Sequence, residues 1–334
     1  METLLGEGSF GCVITPPVQC TGEKQRIAKT KPSAKARLAG KIFVDKHDFS
    51  TEVRLSKKIA KIDPEGDNLL VPIESCTTNV NNALKNTATW HCGVVQNINS
   101  YKHSDTLYQL IMPYGGERLD RFVKQQKMSQ KGFLDTVIPI AEALVMLKEH
   151  KYCHQDIKSS NILVKHDGKA ILIDFSLMMP FSKVFTKENA SRIKHTYFPY
   201  PPEFKVYMMT ILRGANDPTA IISHVEENIS HFGETRHQIY SKYVSPSRFK
   251  KQMKDFIKWI HKHPSLYEDM AEKIDVYSLG TVFIDNDQHL HTKGLSSRFK
   301  KGYKSLVQSM ISPDPRTRCT PNELLEKMLA LKNI

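Results

Sequence analysis

His154-Gln-Asp-Ile-Lys-Ser-Ser-Asn161-Ile-Leu-Val164, together with Ala170-Ile-Leu-Ile-Asp-Phe-Ser176, is the stretch on which the reading of this chain turns. Two short aliphatic runs, Ile162–Val164 and Ala170–Ile173, flank Asp167-Gly168, a pair favoured in tight hairpin turns. With a two-residue turn there, positions whose numbers sum to 335 face each other, and Asn161 stands opposite Asp174. One end of the hairpin then carries an amide oxygen and a carboxylate, the hard donors that magnesium prefers. Asp156, just upstream, can accept a proton from an attacking hydroxyl. Lys158 can offer positive charge to a group that gathers negative charge during transfer.

Toward the amino terminus, Gly6-Glu7-Gly8-Ser9-Phe10-Gly11-Cys12-Val13 spaces three glycines so that backbone amides can approach a phosphate chain. Pro16-Pro17 follow too closely for the helix that a dinucleotide-binding version of this loop needs. Leu38–Val44 reads as a strand, and Phe49–Ile62 as a helix ended by Pro64 and Gly66. Glu52, Leu55, Ile59 and Ile62 share one face of that helix, so Glu52 points inward and needs a cation. Lys41 and Lys29 are the candidates, and Lys41 is preferred because it lies within the strand-like run. Mixed strands are expected over 69–112, around a polar Asn/Thr-rich loop at 77–89. Beyond them, 132–153 has a helical rhythm that contains Pro139, and the final third is mainly helical.

Bulk properties set weaker bounds. A net charge of +13 is compatible with anionic partners, but the lysines are spread out and no clear nucleic-acid pattern accompanies them. No apolar run is long enough to span a bilayer, and no leader is expected. Six cysteines lie far apart without a C-x-x-C pair, which argues against a disulfide framework and for a reducing compartment. His150, Cys153 and His154 are close together but are not read as a zinc site. Asn189-Ala-Ser191 and Asn228-Ile-Ser230 fit the glycosylation pattern by chance.

These residues together resemble the eukaryotic-type protein kinase family, over essentially the whole chain. Gly6, Gly8 and Gly11 match its glycine-rich loop, and Asp156, Lys158 and Asn161 its catalytic loop. Asp174-Phe175 matches its magnesium-binding motif, with Ser176 in place of glycine. Pro202-Glu203 matches the end of its activation segment, and Asp275–Gly280 its central helix. Arg318 matches the arginine that the family pairs with the glutamate at 203. The resemblance also nominates Glu52 as the lysine's partner, and Leu110–Gly115 as the hinge that holds adenine, with Met112 limiting the pocket and Gly115 among the nucleotide-binding residues. The implied fold is α+β and two-lobed: a small β-rich lobe over 1–112 and a larger, mainly helical lobe over 113–334. ATP and Mg2+ are expected in the cleft between them. The style of Lys41-Ile-Phe, Ile62-Asp-Pro and Pro113-Tyr-Gly-Gly is further similar to kinases encoded by large DNA viruses. The expected location is cytoplasmic: the host cell's cytoplasm, or the virion, for a viral kinase.

What the resemblance implies is a serine/threonine kinase acting on protein hydroxyls. Lys158 two residues after the base and Thr196 seven before Glu203 are similar to that class. The alternatives are a pseudokinase that only binds, or a small-molecule kinase of the same fold. No substrate identity or oligomeric state follows. Gln155 stands where phosphorylation-dependent members carry arginine, so independence of activation-segment phosphorylation is expected. An unusual insertion covers about 204–271, with Phe249, Met253, Phe256, Ile257 and Ile260 on one helical face. It is expected to replace helices missing from the shorter carboxy-terminal part, rather than to form a docking surface.

Overall fold

Alternating burial along extended segments builds the amino-terminal half of the computed structural model, which describes residues 2–8, 11–29, 37–96, 105–192, 199–230 and 234–334. The chain divides into two compact units, Met1–Gly116 and Glu117–Ile334, a boundary four residues beyond the expected one. The strand ending at Pro113 and the Tyr114 N–H, which donates to the Arg37 carbonyl, hold that extra stretch to the first unit.

The first unit is a six-stranded antiparallel sheet in the order β1-β2-β4-β6-β5-β3. Its strands are β1 (Thr3–Gly8), β2 (Gly11–Thr15), β3 (Gln25–Arg26), β4 (Leu38–Phe43), β5 (Glu74–Asn79) and β6 (Thr106–Pro113). α1 (Lys46–Ile62) packs on β4 and β6 and begins three residues before the sequence expectation. Asp45 sets that start, its carboxylate accepting from the Asp48 N–H at 2.9 Å. Asp63 sets the stop: its carboxylate gathers the N–H groups of Gly66, Asp67, Asn68 and Leu69 into a turn.

Two expectations for this unit are corrected. The polar stretch at 77–89 is helical rather than a loop: β5 leads into α2 (Val80–Leu84), a 3-10 turn at Thr87–His91 and α3 (Gly93–Gln96). Asn79 and Asn86 do not mark coil. Their side chains cap the N–H groups of Asn82 and Ala88 at 2.8 and 3.0 Å. The cysteines pair after all, as Cys12–Cys92 and Cys20–Cys76. Sequence separations of 80 and 56 conceal Cα–Cα distances of 6.0 Å, because strand pairing brings remote segments together. Cys153 and Cys319 are free thiols, both buried.

The second unit opens with β7 (Glu117–Arg118), α4 (Leu119–Gln126) and the long buried α5 (Gln130–Glu149), which continues as helix through Pro139. β8 (Tyr152–Cys153), β9 (Ile162–Val164), β10 (Ala170–Leu172) and β11 (Met179–Pro180) form two small sheets, in the orders β10-β9-β7 and β11-β8. The β9–β10 register is one residue off the expected one, with Ala170 opposite Val164 and Leu172 opposite Ile162. Asp167-Gly168 belongs to a three-residue loop whose last residue, Gly168, has φ 78°. That is the type I turn followed by a left-handed residue, a form open to the same Asp-Gly pair.

Helices α6 (Phe181–Val184), α7 (Lys187–Arg192) and α8 (Pro202–Tyr207) follow, then α9 (Pro218–Ser230), α10 (Glu234–Tyr243) and α11 (Pro246–Ile260). α12 (Ile274–Asp287), α13 (Ser297–Met310) and α14 (Pro321–Lys332) complete the unit. All five apolar residues expected on the inner face of α11 are buried. Within the long insertion α11 packs on α9, while α10 packs on α12 and α13, so the insertion supplies helices to this unit's core. Among the described residues, no helix is long and apolar enough to cross a membrane.

Candidate active site

The loop from His154 to Asn161 is held from beneath by Asp275 at the start of α12. Its carboxylate accepts from the backbone N–H of His154 at 2.6 Å and of Gln155 at 2.9 Å. Burial raises the Asp275 carboxyl above its ordinary range, an effect that the nearby His154 and these two N–H groups partly offset. Gln155 adopts φ 64°, a left-handed conformation that costs a residue with a side chain and persists where surroundings enforce it. That turn delivers Asp156, whose side chain is 8% exposed. The Lys158 ammonium lies 2.9 and 3.1 Å from its two oxygens. The Asn161 amide nitrogen donates to the Asp156 carbonyl at 2.9 Å and to its carboxylate at 2.7 Å. Carboxylate, cation and amide thus form one connected cluster.

Asn161 spends its N–H donors on Asp156, so its amide oxygen remains the atom suited to a cation. The Ile173 N–H donates to the Asn161 carbonyl at 3.0 Å, so Ile173, not Asp174, is the residue directly opposite Asn161. Asp174 is the next residue, at φ 65°, with one oxygen accepting from the Ser176 hydroxyl at 2.8 Å. Ser176 therefore orients the carboxylate, a role that reading it as a replaced glycine did not suggest. A carboxylate and an amide oxygen beside one hairpin end fit magnesium by the chemistry of the donor set. Phe175 packs edge-on against His154 at 5.3 Å, and the His154 ring reaches the Ile173 carbonyl at 3.2 Å. His150 bonds instead to the Met146 carbonyl, and Cys153 is a buried thiol.

In the first unit, Lys41 on β4 meets Glu52 on α1 at 2.7 Å, with side chains 18% and 19% exposed. Lys29 is exposed and lies outside the strands. Gly6, Glu7 and Gly8 lie on β1, and Gly11 and Val13 on β2, Gly8 pairing with Gly11 and Val13 with Lys41. Gly11 cannot carry a side chain, because a Cβ there would lie 1.9 Å from the Ile42 carbonyl oxygen. Ser9 and Phe10 fall outside the described residues. Met112, half-buried, pairs with Ala39 near the end of β6, and Gly115 is buried two residues after that strand.

Gln155 also ties the loop to the segment after Asp174. Its amide N–H donates to the Leu177 carbonyl at 3.0 Å, and its oxygen accepts from Asn189 at 3.0 Å. Asn189 donates as well to the Val184 carbonyl at 2.8 Å. Sequence reading noticed Asn189 only as a glycosylation pattern; buried and twice bonded, it is a structural latch. At the far end of the segment, Glu203 and Arg318 form a two-bonded pair of 2.5 and 2.8 Å, wholly buried. Thr196 lies outside the described residues.

The arrangement has the α+β fold of the two-lobed kinase type, with a carboxylate, a cation and paired oxygen donors on one loop and hairpin. The family model for the protein kinase domain matches residues 56–204, which include every residue of that cluster. The mouse and human serine/threonine-protein kinases PAK 4 are each 28% identical over 131 residues, covering 36% of this chain and 22% of theirs. Mouse Aurora kinase C is 32% identical over 78 residues, covering 23% of this chain and 28% of its own. The chain thus spans about a quarter of each of these relatives. These similarities are to protein kinases, and the family model covers a little under half of this chain.

Proposed function

We propose that this protein is a serine/threonine protein kinase that transfers the γ-phosphate of ATP to hydroxyls of a protein substrate. The observation that carries the reading is the Asp156–Lys158–Asn161 cluster, held in place by Asp275. The substrate hydroxyl oxygen forms the new bond to the γ-phosphorus, and the bond from that phosphorus to the bridging oxygen breaks. ADP leaves with the electron pair, and the hydroxyl proton passes to Asp156. Lys158 balances charge on the transferring group. Asn161 and Asp174 would hold Mg2+, which when bound neutralises phosphate charge. In the first unit, Lys41, held in place by Glu52, would contact the phosphates, the Gly6–Gly11 hairpin would cover them, and Met112 and Gly115 would border adenine.

Lys158 two residues after the base supports serine or threonine as acceptor. The two disulfides overturn the expectation of a reducing compartment, so of the locations expected, the cytoplasm or, for a viral kinase, the host cytoplasm or the virion, they favour the virion. A pseudokinase is disfavoured because base, metal donors and the lysine–glutamate pair are all present. The test is radiolabelled ATP with generic protein acceptors and free small-molecule hydroxyls as parallel arms. Transfer should appear on protein serine or threonine and fall about 10²–10⁴-fold in Asp156→Ala. Asp174→Asn should lose most transfer together with the magnesium dependence of nucleotide binding. Wild-type protein that binds ATP without transfer, or that labels only small molecules, would overturn the assignment.

A further inference from the structure

The β1–β2 hairpin is fastened at separate points to the segment between β5 and β6. The Glu2 carboxylate, just before β1, accepts from the Thr87 N–H and hydroxyl, each at 2.6 Å. Glu7, near the glycine turn, accepts from the Gly93 N–H at 2.8 Å. Cys12, opposite Glu7 in the strand register, is joined covalently to Cys92. Beyond β2, Asn86 donates to the Pro16 carbonyl at 3.1 Å. Ala83, Ala88, Cys92 and Val95 bury their side chains in one apolar cluster with Cys12 and Ile14. The segment is itself stiffened: the Thr89 hydroxyl bonds to the Ala83 and Asn86 carbonyls, and both asparagine caps are in place.

A two-stranded hairpin tipped with glycines has little intrinsic rigidity. Ordering it around a ligand costs binding free energy, which attachment beforehand removes. We propose that residues 80–96 form a strap that positions the glycine hairpin for nucleotide phosphates, with Cys12 and Cys92 as its covalent positioning residues. This rests on the proposed function, in which that hairpin covers ATP. The second disulfide supplies an internal control. Cys20–Cys76 joins the segment after β2 to β5 and packs in a separate apolar cluster with Ile73 and Ile111, yet it too closes a long loop of the same unit.

The test uses the full chain and 2′/3′-N-methylanthraniloyl-ATP with magnesium as a fluorescent probe. Cys12→Ala/Cys92→Ala should weaken binding about tenfold, with much less effect on single-turnover transfer at saturating nucleotide. Cys20→Ala/Cys76→Ala should bind within about twofold of wild type, although its unfolding midpoint falls. Amide hydrogen exchange without nucleotide should show faster exchange over 3–15 in the first variant alone. Equal losses of affinity in both variants, or wild-type affinity and exchange in Cys12→Ala/Cys92→Ala, would overturn the strap. If the wild-type chain binds no nucleotide, the proposed function fails, and the exchange measurement then decides for or against the strap by itself.

Discussion

Glu52 meets Lys41 through one contact of 2.7 Å, and both side chains keep nearly a fifth of their surface open. Glu203 meets Arg318 through two contacts, and neither side chain is exposed at all. Arg318 further donates to the Ser312 and Lys273 carbonyls and lies over the Tyr277 ring, so its donors are committed on every side. Burial works against the charged guanidinium, but Glu203 and its hydrogen bonds outweigh this and raise the Arg318 pKa. Each pair joins a cation to a carboxylate, but their environments suit them to different work. A pair open to water can let its lysine turn to a ligand, because solvent compensates the carboxylate it leaves. A buried two-bonded pair cannot part without stranding a charge.

The sharpest attempt to break this contrast is Arg318→Leu. It should destabilise the protein by about 3–5 kcal/mol, because Glu203 would stay buried without its cation. Urea unfolding measures this, and Glu203→Leu/Arg318→Leu should recover part of the loss. Near-wild-type stability of the single variant would remove the distinction. Lys41→Met should behave oppositely. We expect transfer to fall about 10²-fold, while stability changes by less than about 1 kcal/mol. Lys29→Met should retain most activity, and the reverse ranking in single-turnover rates would move the phosphate contact to Lys29.

A smaller effect concerns the neutral counterpart of these pairs. The Gln155–Asn189 contact gives a phosphate no fixed charge to neutralise, so phosphatase treatment should change initial rates by less than about tenfold. Mass spectrometry would establish that the segment is unmodified, and a larger drop restored by rephosphorylation would count against the latch. The smallest effect tests burial of a cation where desolvation prevails. Lys205, two residues after Glu203, is pushed by burial from 10.5 down to about 8. The unfolded chain therefore holds more protons than the folded one between those values, and this residue's contribution to stability rises with pH across that window. Lys205→Met should flatten the rise in urea midpoints measured from pH 7.5 to 10.

What sequence could disclose depended on whether the interacting residues were contiguous. Asp156, Lys158 and Asn161 were legible because one short loop carries all three and their chemistry is local. The hairpin was legible, but its register was not, since Asp-Gly serves a two-residue and a three-residue loop equally well. Helical periodicity turned Glu52 inward and the strand-like run favoured Lys41 over Lys29 as its partner, but the 2.7 Å contact itself depends on how β4 and α1 pack. Cys12–Cys92 was invisible, because nothing local records which remote segment a strand will lie beside. The asparagines at 79 and 86 misled for a related reason: capping and coil draw on the same residue types.

The Gln155–Asn189 latch also bears on how such an enzyme could be governed in a cell. Two carboxamides that close as the chain folds need no upstream enzyme to set them, and an enzyme that released them would have to reach the Thr186 hydroxyl, which accepts from the Asn189 N–H at 3.2 Å. Output would then follow the number of molecules made and the substrates brought within reach. Timing of synthesis and destruction, rather than a relay of signals, would act as its throttle.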